Sequence, residues 1–135
     1  MPRYDVYTSV ELPAEKKAQL AREVTDLHVA LTGAPPSFCR VVFSVVGDGN
    51  CFVAGEEQPD ASVRGIIRDG RTRENVKQLL EGISEAMHRA TGFDRTKIVV
   101  SVGQRPAWQV MEGGRVLPSP GDESDWLDAD AAVSH

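Results

Sequence analysis

The second residue of the chain is a proline, and its nitrogen is the first group in the sequence that could do chemistry. Removal of Met1, which is normal before a small residue, would leave Pro2 as the N-terminus with a free secondary amine. An α-amino group ordinarily titrates at about 8. Burial or nearby cations lower that pKa toward neutrality, where a general base works best. If the chain keeps Met1, the nitrogen of Pro2 is an amide and cannot act as a base.

Four arginines fall close together in the middle of the chain. They are Arg64, Arg68, Arg71 and Arg73. Arg68 ends a predicted strand and Arg71 opens the following helix, so two guanidinium groups and the positive end of a helix converge. Such a site suits a carboxylate or a phosphate, with bidentate pairing available. The alternative is that these arginines are exposed and paired with Asp69 and Glu74.

His28 and Glu112 are two further candidates. His28 follows Leu27 on the first predicted helix, where it could donate a hydrogen bond at the rim of a pocket or be a half-buried structural histidine. Glu112 precedes two glycines and follows Met111. A carboxylate in such a partly apolar segment can have a raised pKa and serve as a base, or it can be a surface glutamate.

Neither a metal site nor a cofactor site is indicated. The three histidines, His28, His88 and His135, lack ligand spacing. Cys39 and Cys51 form no C-x-x-C pair, which favours two reduced, packed thiols. We therefore expect no metal and no cofactor.

The elements that must position these groups follow a repeated pattern. A strand over 4–10 leads into a helix that begins near Pro13 and ends at Thr32-Gly33, and a second strand covers 40–46. A turn at 47–50 predicts that 51–54 pairs back as a short hairpin. A strand over 63–68, a helix from Thr72 to Thr91-Gly92 and a strand over 98–102 repeat the order.

The repeat predicts the fold class. Thr-Gly recurs 59 residues apart, followed each time by an apolar strand, at 41–45 and at 98–102. We read an α/β (α+β) protein in which two β-α-β units form one four-stranded mixed sheet with two helices on one face. The opposite face of the sheet needs a cover. Because 135 residues leave no further helices for it, the prediction is oligomerisation.

Length and charge limit the remaining possibilities. A chain of 135 residues makes one domain, here residues 1–121 with a C-terminal arm. Residues 122–135 carry five acidic side chains and no lysine or arginine, and we expect this tail to be flexible. The rest is neutral overall, which argues against nucleic-acid binding. There is no apolar run of about 20 residues and no signal-peptide pattern, so we expect a cytoplasmic protein that does not bind membranes.

Together these features resemble the tautomerase superfamily, and most closely its cis-3-chloroacrylic acid dehalogenase group. The start at Pro2-Arg3-Tyr4, His28 with Leu31-Thr32-Gly33, and the segment from Gly65 to Arg71 match the pattern. A C-terminal signature also matches, from Pro106-Ala107 through Gln109, Glu112 and Gly114-Arg115 to Leu117-Pro118 and Pro120-Gly121. The resemblance covers residue 2 to about residue 127.

The resemblance implies a role for each matching residue. Pro2 is the general acid or base at the α-carbon of the substrate, and Glu112 activates a water. Arg68 and Arg71 bind the substrate carboxylate with help from His28, and Tyr4 is a supporting hydrogen bonder. It also implies a homotrimer. One position departs from the dehalogenase group, since Ser101 stands where that group has a tyrosine that assists the water.

The sequence thus predicts an enzyme that uses an N-terminal proline on a small carboxylate, chiefly for keto–enol tautomerisation of a 2-oxo acid. A hydrolytic dehalogenase or hydratase of 3-substituted acrylates or propiolates is the alternative within enzymes. The alternative outside them is a trimeric anion-binding module.

Overall fold

The first β-α-β unit forms as the periodicity predicts. The computed structural model describes residues 1–133 of the chain. Strand β1 (Arg3–Thr8) leads into helix α1 (Ala14–Thr32) and then into strand β2 (Arg40–Val45). The helix ends at Gly33, whose φ of 74° is left-handed and costs little only for glycine.

The hairpin after this unit differs from the prediction. Strand β3 (Phe52–Val53) pairs with strand β4 (Glu56–Glu57) and not with β2, so the prediction that 51–54 pairs back was wrong. The reason is a two-residue turn, in which Ala54 has a φ of 52° and Gly55 a φ of 79°. Two consecutive positive φ values suit the tight turns that close a hairpin locally.

The second unit repeats the first. Strand β5 (Ala61–Arg68), helix α2 (Arg73–Thr91) and strand β6 (Ile98–Arg105) follow in order. Thr72 caps α2 by accepting from the backbone N–H of Asn75 at 3.1 Å, and Gly92 ends the helix with a φ of 70°.

The four long strands form one mixed sheet, as predicted. The order is β2-β1-β5-β6, in which β1 is parallel to β2, β5 is parallel to β6, and β1 is antiparallel to β5. Both long helices pack on one face through a shared apolar core. Its largest buried members include Tyr4, Ile67, Leu20, Leu79, Ile83 and Met87.

The other face of the sheet is not covered by the described part of the chain. Val42 and Ile66 are each 37% exposed there and Val99 is 60% exposed. Leaving such β-branched side chains in water forgoes burial worth about 1.5–3 kcal/mol each. This face is the feature that favours association with further copies.

The C-terminal arm makes a small hairpin and a helix. Strand β7 (Met111–Glu112) pairs with strand β8 (Arg115–Val116), and helix α3 (Glu123–Val133) follows. This helix lies within the segment predicted as a flexible tail, and its first turn contacts the rest of the domain. The ring of Trp126 packs edge-on against Phe38 at 5.4 Å, and Glu123 forms an ion pair with Arg68. The position of His135 lies outside the described residues.

None of the helices within residues 1–133 combines the length and hydropathy needed to cross a bilayer.

Candidate functional site

The N-terminus of the chain is buried at one end of the sheet. The side chain of Met1 is 6% exposed and packs with Phe38, Ala107 and Leu117. The amine of Met1 donates to the carboxylate of Glu112 on β7, and the backbone carbonyl of Pro2 accepts from the N–H of Arg40 at 3.0 Å. The structure thus places the amine of Met1, the neighbour of the predicted Pro2, on the carboxylate of the predicted Glu112.

The surroundings of this amine lower its pKa below the ordinary 8.0. Burial is the main cause, since it disfavours the ammonium form. Glu112 acts in the opposite direction through its hydrogen bond and its charge, while Arg40 and Arg68 lower the pKa further. A group in this place is therefore biased toward the free base.

Arg68 is held at the carboxyl end of β5 and is 1% exposed. Its Nη1 donates to the backbone carbonyl of Pro118 at 2.9 Å, and its Nη2 donates to Oε1 of Glu123 at 2.7 Å. The guanidinium also lies over the ring of Phe38, 5.2 Å from the centroid. Its Nε is buried without a hydrogen-bond partner, so one strong donor remains available.

Arg71 lies beside Arg68 and joins the end of α1. Its Nη1 donates to the backbone carbonyl of Thr32 at 3.2 Å, and its Nε is also buried and unpartnered. Burial and the charge of Arg68 lower the pKa of Arg71. The alternative reading pairs exposed arginines with Asp69 and Glu74. Neither carboxylate accepts any of these hydrogen bonds from Arg68 or Arg71.

The other two arginines of the predicted cluster lie elsewhere. Arg64 is exposed on the uncovered face, where it stacks over the ring of Tyr7 at 5.7 Å. Arg73 is exposed at the start of α2.

His28 and Tyr4 form a buried pair between α1 and β1. Tyr4 Oη lies 2.8 Å from His28 Nδ1, and the two side chains are 0% and 1% exposed. Burial, followed by the charges of Arg71 and Arg68, lowers the pKa of His28 to about 4, and burial raises that of Tyr4. Both groups are therefore neutral at pH 7. A protonated phenol that donates to Nδ1 leaves the ring proton on Nε2, where it can serve a ligand.

Local sequence explains how this pair is positioned. His28 continues the spacing of Leu20 and Val24, so the inward stripe of α1 reaches the end of the helix. Gly65 stands opposite Tyr4 in the β1–β5 register, and a Cβ there would lie 2.5 Å from the tyrosine ring. Glycine at this position therefore makes room for the aromatic ring.

Two residues of the site were missed by sequence reasoning. Arg40 opens β2 and lines a cavity of about 530 Å³ together with Met1, Arg105 and Glu112. Its signal in the sequence was a lone cation between apolar residues, and only the parallel pairing of β1 with β2 places it beside the N-terminus. Glu123 was assigned to a flexible tail.

Ser101 does not belong to this group of side chains within one protomer. It is exposed on the face away from the helices and pairs with Arg64 in the β5–β6 register. Within the described residues no cluster of three or more histidine, cysteine or acidic side chains could hold a metal ion. Both cysteines are free thiols.

Comparisons with known proteins identify a family. Residues 1–131 match the Tautomerase_3 family ("putative oxalocrotonate tautomerase enzyme"). None of the curated proteins matches the sequence.

Three solved structures are similar over most of the chain. A member of the cis-3-chloroacrylic acid dehalogenase family is 29% identical with a TM-score of 0.87, covering 93% of this chain and 90% of that one. A protein inactivated by 2-oxo-3-pentynoate is 25% identical with a TM-score of 0.78, covering 85% and 94%. An asymmetric trimer of a fused 4-OT shares the fold at 24% identity and a TM-score of 0.78, covering 84% and 94%.

Proposed function

The chain belongs to the Tautomerase_3 family, and we propose that it is an enzyme whose N-terminal Pro2 tautomerises a small 2-oxo acid between its enol and keto forms. The observation that carries the proposal is a buried N-terminal amine that contacts Glu112 and lies within the field of Arg40 and Arg68. An amine, cationic side chains and a cavity therefore occur together.

Removal of Met1 supplies both the base and the space. The nitrogen of Pro2 becomes a secondary amine, and the volume now filled by Met1 opens between Phe38, Ala107 and Leu117. Arg68 adjoins this volume through its contact with Phe38. A small organic acid in that space has its carboxylate near the arginines and its carbon chain beside the amine.

The proton that Pro2 removes from the substrate is returned to the same substrate molecule. The free amine of Pro2 takes the proton of the enol hydroxyl, and the resulting ammonium delivers it to the neighbouring carbon, so that a C–H bond forms as the O–H bond breaks. Arg40 stabilises the negative oxygen that develops between the two steps, because a fixed cation in a partly buried site costs no reorganisation. No cofactor takes part.

The remaining site residues hold the carboxylate. Arg68 and Arg71 each offer an unpartnered Nε–H donor. His28, neutral and oriented by Tyr4, adds a neutral N–H donor. Charge-assisted hydrogen bonds of this kind contribute about 1.5–3 kcal/mol each.

A second candidate is a hydrolytic dehalogenase or hydratase. The similarity to a cis-3-chloroacrylic acid dehalogenase family member favours it, and so does Glu112 as a possible base for water. That reaction needs the ammonium form of Pro2 as an acid, whereas burial, together with Arg40 and Arg68, lowers the pKa of the amine of Met1, the residue next to Pro2. Ser101, with a much shorter side chain than tyrosine, gives little help to a water. We therefore place tautomerisation first.

We also propose that the protein is a homotrimer. The uncovered sheet face with Val42, Ile66 and Val99 supports association, and the fused 4-OT relative is described as a trimer. Light scattering at micromolar concentration should give three times the chain mass of 14.7 kDa. A monomer would contradict this arrangement.

The test combines mass spectrometry of the intact protein with an assay of enol-to-keto conversion. Wild-type protein should lack Met1 and should convert the enol of a short 2-oxo acid to its keto form. Pro2→Ala also loses Met1 and keeps a primary amine, so it should retain a small part of the rate. Pro2→Leu retains Met1, because initiator methionine is removed only before small residues, and should be inactive.

Equal rates for wild type and Pro2→Leu would exclude Pro2 as the base. Binding of small carboxylates without turnover in any form would support the anion-binding module instead. Turnover of 3-chloroacrylate that exceeds turnover of the enol would favour the dehalogenase.

A further inference from the structure

A carboxylate of the chain itself lies on the arginine that is proposed to bind substrate. Oε1 of Glu123 accepts from Nη2 of Arg68 at 2.7 Å. Nε and Nη2 form one edge of a guanidinium, the edge that grips a carboxylate with two parallel bonds. Glu123 occupies the Nη2 side of that edge and the carbonyl of Pro118 occupies Nη1, which leaves Nε as the one nitrogen of Arg68 without a hydrogen-bond partner.

The position of Glu123 is fixed on several sides. Its second carboxylate oxygen accepts from the backbone N–H of Gly121 at 2.9 Å. The indole N–H of Trp126, one turn further along α3, donates to the carbonyl of Val116 at 2.8 Å. Arg115 stacks on the same indole at 4.0 Å from the ring centroid. Glu123 is thus a built part of the site.

We propose that Glu123 is a specificity-determining residue, which restricts the anion site of Arg68 and Arg71 to a single monocarboxylate and rejects dianions such as phosphate esters. The inference rests on the proposed carboxylate site. Arg68 and Arg71 each hold one buried Nε without a hydrogen-bond partner, and two N–H donors are enough for the two oxygens of one carboxylate.

Charge supports the same conclusion. Glu123 is paired with the buried guanidinium of Arg68, so Arg68, Arg71 and Glu123 together carry one net positive charge, which one carboxylate neutralises. A dianion would place its second charge close to the carboxylate of Glu123, and like charges at such short range cost several kcal/mol.

The experiment uses the Nε–H signals of Arg68 and Arg71 in nitrogen-15 NMR of the full chain. Propionate and methyl phosphate are titrated at pH 7.5, where the second is mainly a dianion, into wild type, Glu123→Gln and Asp128→Asn. Glutamine keeps an oxygen for Arg68 without the charge. Asp128 is exposed on the same helix, so its variant reproduces the change in net charge alone.

Wild type and Asp128→Asn should bind propionate at least about tenfold more tightly than methyl phosphate. Glu123→Gln should bind methyl phosphate about tenfold more tightly than wild type does, with a much smaller change for propionate. A preference ratio that is the same in Glu123→Gln and wild type would overturn the role of Glu123 and leave the carboxylate site intact. If neither anion shifts the arginine signals in any of the three proteins, the carboxylate site itself is wrong, and the proposed function fails with it.

Discussion

The two ends of the four-stranded sheet share one framework and differ in chemistry. At one end α1 stops, and the hydroxyl of Thr32 donates to the carbonyl of His28 at 2.7 Å. At the other end α2 stops, and Thr91 donates to the carbonyl of Met87 at the same distance. A left-handed glycine follows each threonine.

The contacts across the helix pair are also repeated. Asn75, near the start of α2, donates to the carbonyl of Leu31 at 2.9 Å, and Lys16, near the start of α1, donates to that of Ala90 at 3.3 Å. The members of each equivalent pair lie 59 residues apart in the sequence. Both ends therefore hold their helices by the same means.

The differences are confined to a few side chains. The counterpart of His28 is Met87, which is 0% exposed in the apolar core. The counterparts of Arg68 and Arg71, 59 residues earlier, are the uncharged Ser9 and Leu12. A repeated scaffold thus carries a polar, cationic site only where the N-terminus lies, and the predictions below test this division.

The largest effect is expected from removing a positive charge from the cationic end of the sheet, so that it resembles the uncharged end. Arg68→Ala should raise KM for the 2-oxo acid by about 10–100-fold, because a buried charge-assisted donor contributes about 1.5–3 kcal/mol. Arg73→Ala, which removes an exposed cation from the next helix, is the control and should keep the wild-type KM. Steady-state kinetics measures both. A wild-type KM in Arg68→Ala would place the carboxylate elsewhere.

Replacing His28 with its counterpart methionine should change stability in a pH-dependent way. At pH 7 His28→Met leaves the buried hydroxyl of Tyr4 without its partner and should cost about 1–3 kcal/mol. The folded pKa of His28, about 4, lies below its ordinary 6.5. The unfolded chain then binds the proton more readily, so the wild type loses up to about 3 kcal/mol from this group as the pH falls from 6.5 to 4.

Urea unfolding at pH 7 and pH 4 measures this difference. At pH 4 His28→Met should be at least as stable as wild type. Met87→Leu at the opposite end should cost less than about 1.5 kcal/mol at both pH values. An equal deficit of His28→Met at both values would show that His28 is not held neutral.

Glu112 should set the pH at which the amine becomes active. Its carboxylate raises the pKa of the N-terminal amine against the effect of burial. Glu112→Gln should therefore move the rising limb of the pH–rate profile to lower pH by about one unit. Asp122→Asn, an exposed change of equal charge, should not move the limb. A shift to higher pH would mean that Glu112 does not stabilise the ammonium.

The smallest effect tests the part that both ends share. Thr32→Ala and Thr91→Ala each remove a hydroxyl that also accepts a backbone N–H two residues on, at 3.2 Å and 3.1 Å. Each should cost about 0.5–1.5 kcal/mol of unfolding free energy, and the two costs should agree closely. Thermal unfolding compares them. A much larger loss of unfolding free energy in Thr32→Ala than in Thr91→Ala would show that the two helix ends are not stabilised equally.

The sequence by itself determined the two β-α-β units and the mixed sheet with helices on one face. These features depend on short-range rules that each segment carries, such as the period of apolar residues and the need for glycine after Thr32 and Thr91. Pro2, His28, Arg68, Arg71 and Glu112 could be named because they match a family pattern in order along the chain. Their convergence follows from the topology, which places the start of β1 beside the end of β5.

Only the tertiary structure decided the docking of α3 and the places of Arg40 and Glu123. The acidic segment has too little apolar surface to predict a packed element. In the structure, however, Trp126 packs against Phe38 and Arg115, which lie far apart in the sequence. Arg40 gains its position from strand pairing alone. In each case the deciding free energy comes from contacts between distant segments, and no local pattern of residues records which distant segment will be there.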